Sequence, residues 1–259
     1  MVKELMLGID VGASGIKGAL VNINKGKLDS ERFRVATPKP AIPEEVAKAF
    51  AEVVAHFDWK GPVGCGFPAI IKNGVALSAA NIDSSWIGVN VEELFSQHCG
   101  CPVFVNNDAD VAGIAEMEHG IGKGIKGTVL LITLGSGLGS ALFYEGELIP
   151  NTEFGHFFLK GQDHVAEKYA ADSIRKKEDL SWDVWGSRLN EYLTMLERLF
   201  SPDLFILGGG SSKKFDNYSD QFTIKTPVKP AELLNHAGII GASVLANKKK
   251  PLNITSETF

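Results

Sequence analysis

The sequence predicts an α/β protein built as two lobes around a cleft. Three observations predict it: apolar, β-branched strands alternate with amphipathic helical stretches, one strand–glycine turn–strand unit occurs twice, and Gly120, Gly122, Lys123 and Gly124 form a flexible crossing between the halves. A domain boundary fits at this crossing.

Leu5 to Val21 is an apolar run broken by a glycine-rich turn at Gly12 to Gly18, and Asn24-Lys25-Gly26-Lys27 has hairpin-turn chemistry. Pro38 to Pro43 reads as a rigid connector, with Pro43 suited to the first turn of a helix in which Val46, Phe50, Val53, Val54 and Phe57 keep helical spacing. A strand over Val63 to Phe67 stops at Pro68, and a loop holding Asn81 and Trp86 follows. Val103 to Val105 is a buried strand ending in Asn106-Asn107-Asp108, where polar side chains at a strand end invite a ligand. Ala109 to Gly120 follows as a helix. The second half repeats the opening unit with a strand over Thr128 to Leu134, the turn Gly135 to Gly139, and a strand to Tyr144. Helices are expected within His164 to Lys177 and over Ser181 to Phe200, the latter with an inward stripe of Val184, Leu189, Tyr192, Leu193, Leu196 and Leu199. Leu204 to Leu207 is a strand entering Gly208-Gly209-Gly210, and Ala231 to Asn247 is the last helix.

With 259 residues, 44% of them hydrophobic and 22% charged, the composition is that of an ordinary globular protein. A net charge of −5 disfavours a general nucleic-acid or anionic-membrane binder, which needs a basic face. The opening MVKELMLGID has too short an apolar run for a signal peptide, and no segment approaches the ~20 apolar residues of a membrane span, so the expected compartment is the cytoplasm. Cys65, Cys99 and Cys101 read as reduced packing residues, because Cys99-Gly100-Cys101 is too tight for a structural disulfide or a paired zinc site.

Asp10, Gly12, Ser14, Gly15 and Lys17 put a carboxylate, glycines, a hydroxyl and a cation into one turn; glycines let backbone N–H groups approach a phosphate. A hairpin bend needing positive φ explains the same glycines. Thr133, Gly135, Ser136 and Gly137 repeat the make-up, and two such turns facing across a cleft would hold a polyphosphate chain between them. Asp108 reads either as a proton acceptor or as the N-cap of the helix that follows it. Glu153 and His156 read either as ligand groups or as a surface loop after Pro150.

The sequence Gly8-Ile9-Asp10-Val11-Gly12-Ala13-Ser14-Gly15-Ile16-Lys17-Gly18, then Asn106-Asn107-Asp108-Ala109, Thr133 to Gly139, Glu153-Phe154-Gly155-His156 and Gly208-Gly209-Gly210, resembles the ROK family of sugar kinases. Leu180-Ser181-Trp182, Leu199 to Ile206 and Asn235 to Ala242 are similar to its polyphosphate/ATP glucokinase branch, glucomannokinases included; the likeness runs from about residue 5 to 246. The resemblance implies an actin-like (ribonuclease H-like) ATPase fold with an interdomain cleft, divided into a smaller lobe of residues 1–122 with 243–259 and a larger lobe of residues 123–242, and a homodimer. It implies Asp108 as general base, with Asn81, Asn107, Glu153, His156 and Glu167 as sugar contacts and Gly208, Gly209 and Gly210 beside an adenosine. It also implies magnesium, with Asp10 a direct or water-mediated contact, ATP or inorganic polyphosphate as phosphoryl donor, and glucose or a related hexose as acceptor. Many relatives carry a cysteine-rich zinc loop after the histidine; no cysteine follows His156 here, so zinc is not expected. Lys17, Lys160, Arg175, Lys176, Lys177, Lys213 and Lys214 are candidate cations for a polyphosphate track. A ROK-type repressor would need a helix-turn-helix ahead of the first strand, for which this sequence leaves no room. The competing readings are a ROK kinase for another sugar, such as fructose or N-acetylmannosamine, and an actin-like ATPase that is not a kinase.

Overall fold

A computed structural model describes residues 4–80 and 82–250. β1 (Leu5–Gly12) turns back on β2 (Gly15–Asn22), pairing Gly12 with Gly15 and Asp10 with Lys17. Two short strands that the sequence reading missed, β3 (Lys27–Leu28) and β4 (Phe33–Val35), both join β2. α1 (Pro43–His56) starts on its proline and buries Val46, Phe50, Val53 and Val54. β5 (Val63–Phe67), buried throughout, lies parallel to β1. The expected loop after it holds a small hairpin, β6 (Ile71–Lys72) and β7 (Val75–Ala76), and its Trp86 is fully buried with the indole N–H donating to the Ala41 carbonyl at 2.8 Å. α2 (Val91–Cys99), capped by Asn90, leads into β8 (Val103–Asn107), parallel to β5, and α3 (Asp108–His119) leaves directly from the end of β8.

The second half follows the same plan. β9 (Thr128–Leu134) turns back on β10 (Leu138–Tyr144), β11 (Glu147–Ile149) extends that edge, and β12 (Leu204–Gly208) lies parallel to β9 with β13 (Val228–Pro230) beyond it. The two sheets therefore run β3-β2-β1-β5-β8 and β11-β10-β9-β12-β13, each an antiparallel hairpin continued by parallel strands. Between β11 and β12 come α4 (Glu167–Ala170), α5 (Asp172–Lys177) and α6 (Trp182–Phe200); α7 (Ala237–Lys249) follows β13.

Three helical expectations need correction. The helix expected within His164 to Lys177 is two short ones, because Ala171 is extended and Asp172 turns inward to bind Arg175 and Lys176. The last helix starts at Ala237 rather than Ala231: Val228–Pro230 joins the sheet, Leu234 adopts φ 49°, and the Glu116 carboxylate accepts the N–H groups of Glu232 and Leu233. On α6, Val184 and Leu199 are 49% and 60% exposed and leave the inward stripe, while Trp185 joins it, fully buried with its indole N–H on the Ala170 carbonyl.

α3 and α7 pack against each other and lie against both sheets: Ile240 meets Met6 and Val21 of the first, and Ile114 and Val244 meet Leu131 and Phe143 of the second. Close approach depends on glycine. A Cβ at Gly8 or Gly64 would strike the Ile239 or Ala242 carbonyl of α7, and one at Gly241 would strike the Val111 carbonyl of α3. This layer holds the N-terminus of α3 at the centre of the molecule.

Candidate active site

Two cavities share Asp108 and Thr133 in their walls. The larger, ≈ 510 Å³, is lined by Asp10, Lys17 and Arg32 from the first half and by Gly208, Gly209 and Asn235 from the second. The smaller, ≈ 260 Å³, is lined by Ala69, Ser78, Ala80 and Asn107 on one side and by Gly135, Ser136, Gly137, Glu153, His156 and Glu167 on the other.

Asp108 is placed by the strand-to-helix junction. Asn107 caps α3, its Oδ1 accepting the N–H groups of Ala109 at 2.8 Å and Asp110 at 3.4 Å, and its Nδ2 donates to the Ala69 carbonyl at 3.1 Å. The cap expected of Asp108 thus belongs to Asn107. Asp108 is the first helical residue and accepts the Ala109 N–H at 2.8 Å, with the rest of its carboxylate open to the cavities. Its side chain is exposed in the cleft, where the walls of both cavities crowd around it. That enclosure, and then the charge of Asp10, push its pKa up to about 6, against the lowering effect of the Ala109 N–H.

Asp10 faces the larger cavity from β1, with Lys17 Nζ 4.0 Å from its Oδ2. Burial raises its pKa and Lys17 partly offsets this. Magnesium takes one or two carboxylates and completes its shell with water and phosphate oxygens. Asp10 and Asp108 in one cavity fit that demand, and no cluster of three or more metal-ligating side chains occurs among the described residues.

The predicted turns do not all reach the same space. Asp10, Lys17 and Thr133 line the larger cavity; Gly135, Ser136 and Gly137 line the smaller one; Gly12, Ser14 and Gly15 line neither. None of the glycines at 12, 15, 135 and 137 has positive φ, so a need for left-handed backbone does not explain them. Gly15 leaves room for the Arg34 guanidinium, which donates to the Ser14 carbonyl, whereas a Cβ at Gly135 would meet nothing within 4 Å. Gly208 and Gly209 line the larger cavity and Gly210 does not; Gly209, at φ 80°, lies against the Leu134 backbone.

Glu153, His156 and Glu167 converge on the smaller cavity. His156 Nδ1 is 3.7 Å from Glu153 Oε2 and its Nε2 is 4.0 Å from Glu167 Oε1. Burial raises the Glu153 pKa, His156 lowers it, and Glu167 raises it further. The turn is fixed from beneath by Ser140, whose hydroxyl donates to the Thr152 carbonyl at 2.7 Å and accepts the Phe154 N–H at 3.0 Å. Asn81 lies outside the described residues. Cys65, Cys99 and Cys101 are free thiols and line neither cavity.

The ROK family model matches residues 6–167. The chain belongs to the ROK family. This ROK protein is 46% identical, over 92% of its length and 89% of the relative's, to a polyphosphate glucokinase of Mycobacterium tuberculosis. It superposes on an inorganic polyphosphate/ATP-glucomannokinase from Arthrobacter sp. strain KM with a TM-score of 0.88 and 48% identity, covering 94% of this chain and 99% of that one. A ROK family glucokinase from Streptomyces griseus, in complex with glucose and AMPPNP, superposes with a TM-score of 0.82 and 25% identity over 95% and 100% of the two chains. The fold is the actin-like one of the ROK kinases, with the cavities described above in its cleft.

The sequence reading missed several residues in or beneath the cleft walls. Arg32 comes from a coil segment with no periodic signal. Glu116, fully buried on α3 and part of the larger cavity's wall, holds the 232–233 backbone of the rim. Asp110 is fully buried, accepts the Asn151 N–H at 2.9 Å, and leaves Oδ1 without a partner. Burial raises its pKa to about 7, the Asn151 N–H opposes this, and Asp108 and Glu153 add to the rise. Of the cations proposed for a polyphosphate track, Arg175 and Lys176 are committed to Asp172 at 2.8 and 2.6 Å.

Proposed function

We propose that this protein transfers a phosphoryl group from inorganic polyphosphate or ATP to the 6-hydroxyl of glucose, accepting mannose as well, with Asp108 as general base. It is a glucose kinase of the ROK family, as its likeness to polyphosphate glucokinases over most of the chain supports. The observation that carries the residue assignment is the position of Asp108 in the wall shared by the two cavities. A hexose in the smaller cavity presents its 6-hydroxyl there, while the larger cavity holds the phosphoryl donor.

Asp108 accepts the hydroxyl hydrogen bond and takes the proton as the new O–P bond forms. The bridging P–O bond breaks, and its electron pair leaves on the shortened donor. With a pKa of about 6 the carboxylate is mostly ionised at neutral pH, and it still binds a proton far more readily than an ordinary aspartate. Asn107, through its remaining amide hydrogen, and Glu153, His156 and Glu167 hold the sugar hydroxyls; Asn81 joins them. Asp10, Lys17 and Thr133 in the wall of the larger cavity form the phosphate-binding set, Gly135, Ser136 and Gly137 approach the transferred phosphate from the smaller cavity, and Gly208 and Gly209 approach the adenosine of ATP. Magnesium, held by Asp10, would neutralise charge on the phosphate oxygens. Lys17, Arg32 and Lys213 are the cations we assign to a longer polyphosphate; burial, then the charges of Arg32 and Lys213, lower the pKa of His236. The lobes are residues 1–122 with 243–259, and 123–242, in a cytoplasmic homodimer; no helix among the described residues is long and apolar enough to cross a membrane.

A coupled assay over glucose, mannose, fructose and N-acetylmannosamine, each with ATP and with long-chain polyphosphate plus magnesium, tests the assignment. Turnover of glucose with either phosphoryl donor is expected. Sugar-independent ATP hydrolysis, or turnover confined to fructose or N-acetylmannosamine, would overturn it.

A further inference from the structure

We propose that Asn151 is a positioning residue that fixes the width of the hexose cavity by tying its two walls together; this rests on the smaller cavity being the glucose site. Asn151 follows β11 and precedes the turn that carries Glu153 and His156. Its side-chain amide accepts the N–H of Ile71 at 2.8 Å and donates to the carbonyl of the same residue at 2.8 Å, across 80 positions of sequence. One amide that both donates to and accepts from a single backbone residue imitates a rung of a β-ladder, and so fixes distance and orientation together.

Each end of this clasp leads directly into a cavity wall. Ile71 opens the β6–β7 hairpin, whose flanks are Ala69, held by the Asn107 amide at 3.1 Å, and Ser78, whose hydroxyl accepts the Ile70 N–H at 2.9 Å. Ala69 and Ser78 line the cavity on that side. On the other side Thr152 is held by Ser140, and Glu153 reaches the cavity. Asn151 itself is held from below, because its backbone N–H donates to Asp110 Oδ2 at 2.9 Å on α3, the helix that begins with Asp108. Three structures therefore meet at one residue: the wall before Asp108, the helix that starts at Asp108, and the turn opposite it.

The backbone conformation marks the position as built for this task. Asn151 has φ 61°, a region that asparagine tolerates better than most residues and glycine best. A hydroxyl-matching pocket discriminates only if its polar groups stay at fixed separations. The clasp supplies that fixity before sugar arrives.

Asn151→Gly is the decisive variant, since glycine accepts the same φ, keeps the N–H to Asp110, and deletes only the amide. Steady-state kinetics should show the KM for glucose rising about tenfold, with kcat falling less than about threefold and the KM for polyphosphate and for ATP within about twofold of wild type. The melting temperature should fall by only a few degrees, the cost of leaving the Ile71 N–H and carbonyl without their partner. Asn151→Asp keeps an acceptor for the Ile71 N–H but turns a carboxylate oxygen against the Ile71 carbonyl, so its glucose KM should rise at least as far as that of Asn151→Gly. An unchanged glucose KM in Asn151→Gly, beside a wild type that phosphorylates glucose, overturns the clasp alone. Equal rises in the KM of sugar and phosphoryl donor with a large drop in melting temperature overturn it too, by showing general damage. A wild type that does not turn glucose over removes the functional reading and the clasp with it.

Discussion

The hairpins β1–β2 and β9–β10 share a backbone plan and carry different chemistry. The first closes on the pair Gly12 and Gly15, with two residues in the bend; the second closes on Leu134 and Leu138, with three. Behind the first bend Asp10 stands opposite Lys17, a charged pair facing the larger cavity. Behind the second, Thr133 stands opposite Gly139, which gives a hydroxyl and no charge. Thr37 and Arg34 donate to the Gly12 and Ser14 carbonyls and so fasten the first bend, whereas Gly135 in the second keeps open space around its α-carbon. A repeated fold thus delivers two loops to one cleft, and side chains divide the labour: one supplies charge, the other bare backbone and hydroxyls at the boundary with the smaller cavity.

The largest effect is expected where the two hairpins converge. Asp108→Asn should lower kcat by about a thousandfold with the far-UV circular dichroism unchanged, since it keeps the size and loses the base. Retained turnover would remove the mechanism. The charged hairpin comes next: Lys17→Gln should lower kcat/KM for the phosphoryl donor by about ten- to a hundredfold and leave the glucose KM in place, because it removes the cation proposed to meet the donor phosphates. The pH profile separates the hairpins in another way. Protonating Asp108 removes the base, so kcat/KM for glucose should fall about tenfold per pH unit below about 6. Asp10 is one cause of that raised pKa, so Asp10→Asn should move the acid limb of the remaining activity to lower pH, while Thr133→Val leaves it where it is. The smallest effect belongs to the uncharged bend. Gly135→Ala meets no protein atom and needs no positive φ, so the fold should survive, and a three- to fivefold rise in KM would report a methyl group intruding on ligand space.

Much of this was legible in the sequence because it is local. The hairpin at Gly12 to Gly15, the proline start of α1, the span of α6 and the polar end of β8 are each written in neighbouring residues. What was not legible depends on partners distant along the chain. An aspartate at position 110 inside a helix reads as solvent-facing, yet it is fully buried because Asn151, 41 positions later, supplies an N–H. The start of α7 was misread because Glu116, 116 positions before Glu232, captures the backbone that helical periodicity would have continued. Val184 and Leu199 were misplaced because apolar spacing does not say how wide the buried stripe is. Asp108 has cap chemistry, and only the junction geometry shows that Asn107, one residue earlier, holds the N-cap position.

The glycine contacts that let α7 settle on Gly8 and Gly64 also set an order of events during synthesis. Met6, Ala19 and Val21 finish their packing only against Ile239, Ile240 and Ala246. Ribosomes release the strands bearing the former long before the helix bearing the latter, so the half translated first stays open on one face while the half translated second already has its own sheet and α6 to hand. Nascent chains stalled before residue 237 should therefore expose apolar surface at β1, and the earliest strands to emerge are the latest to be covered.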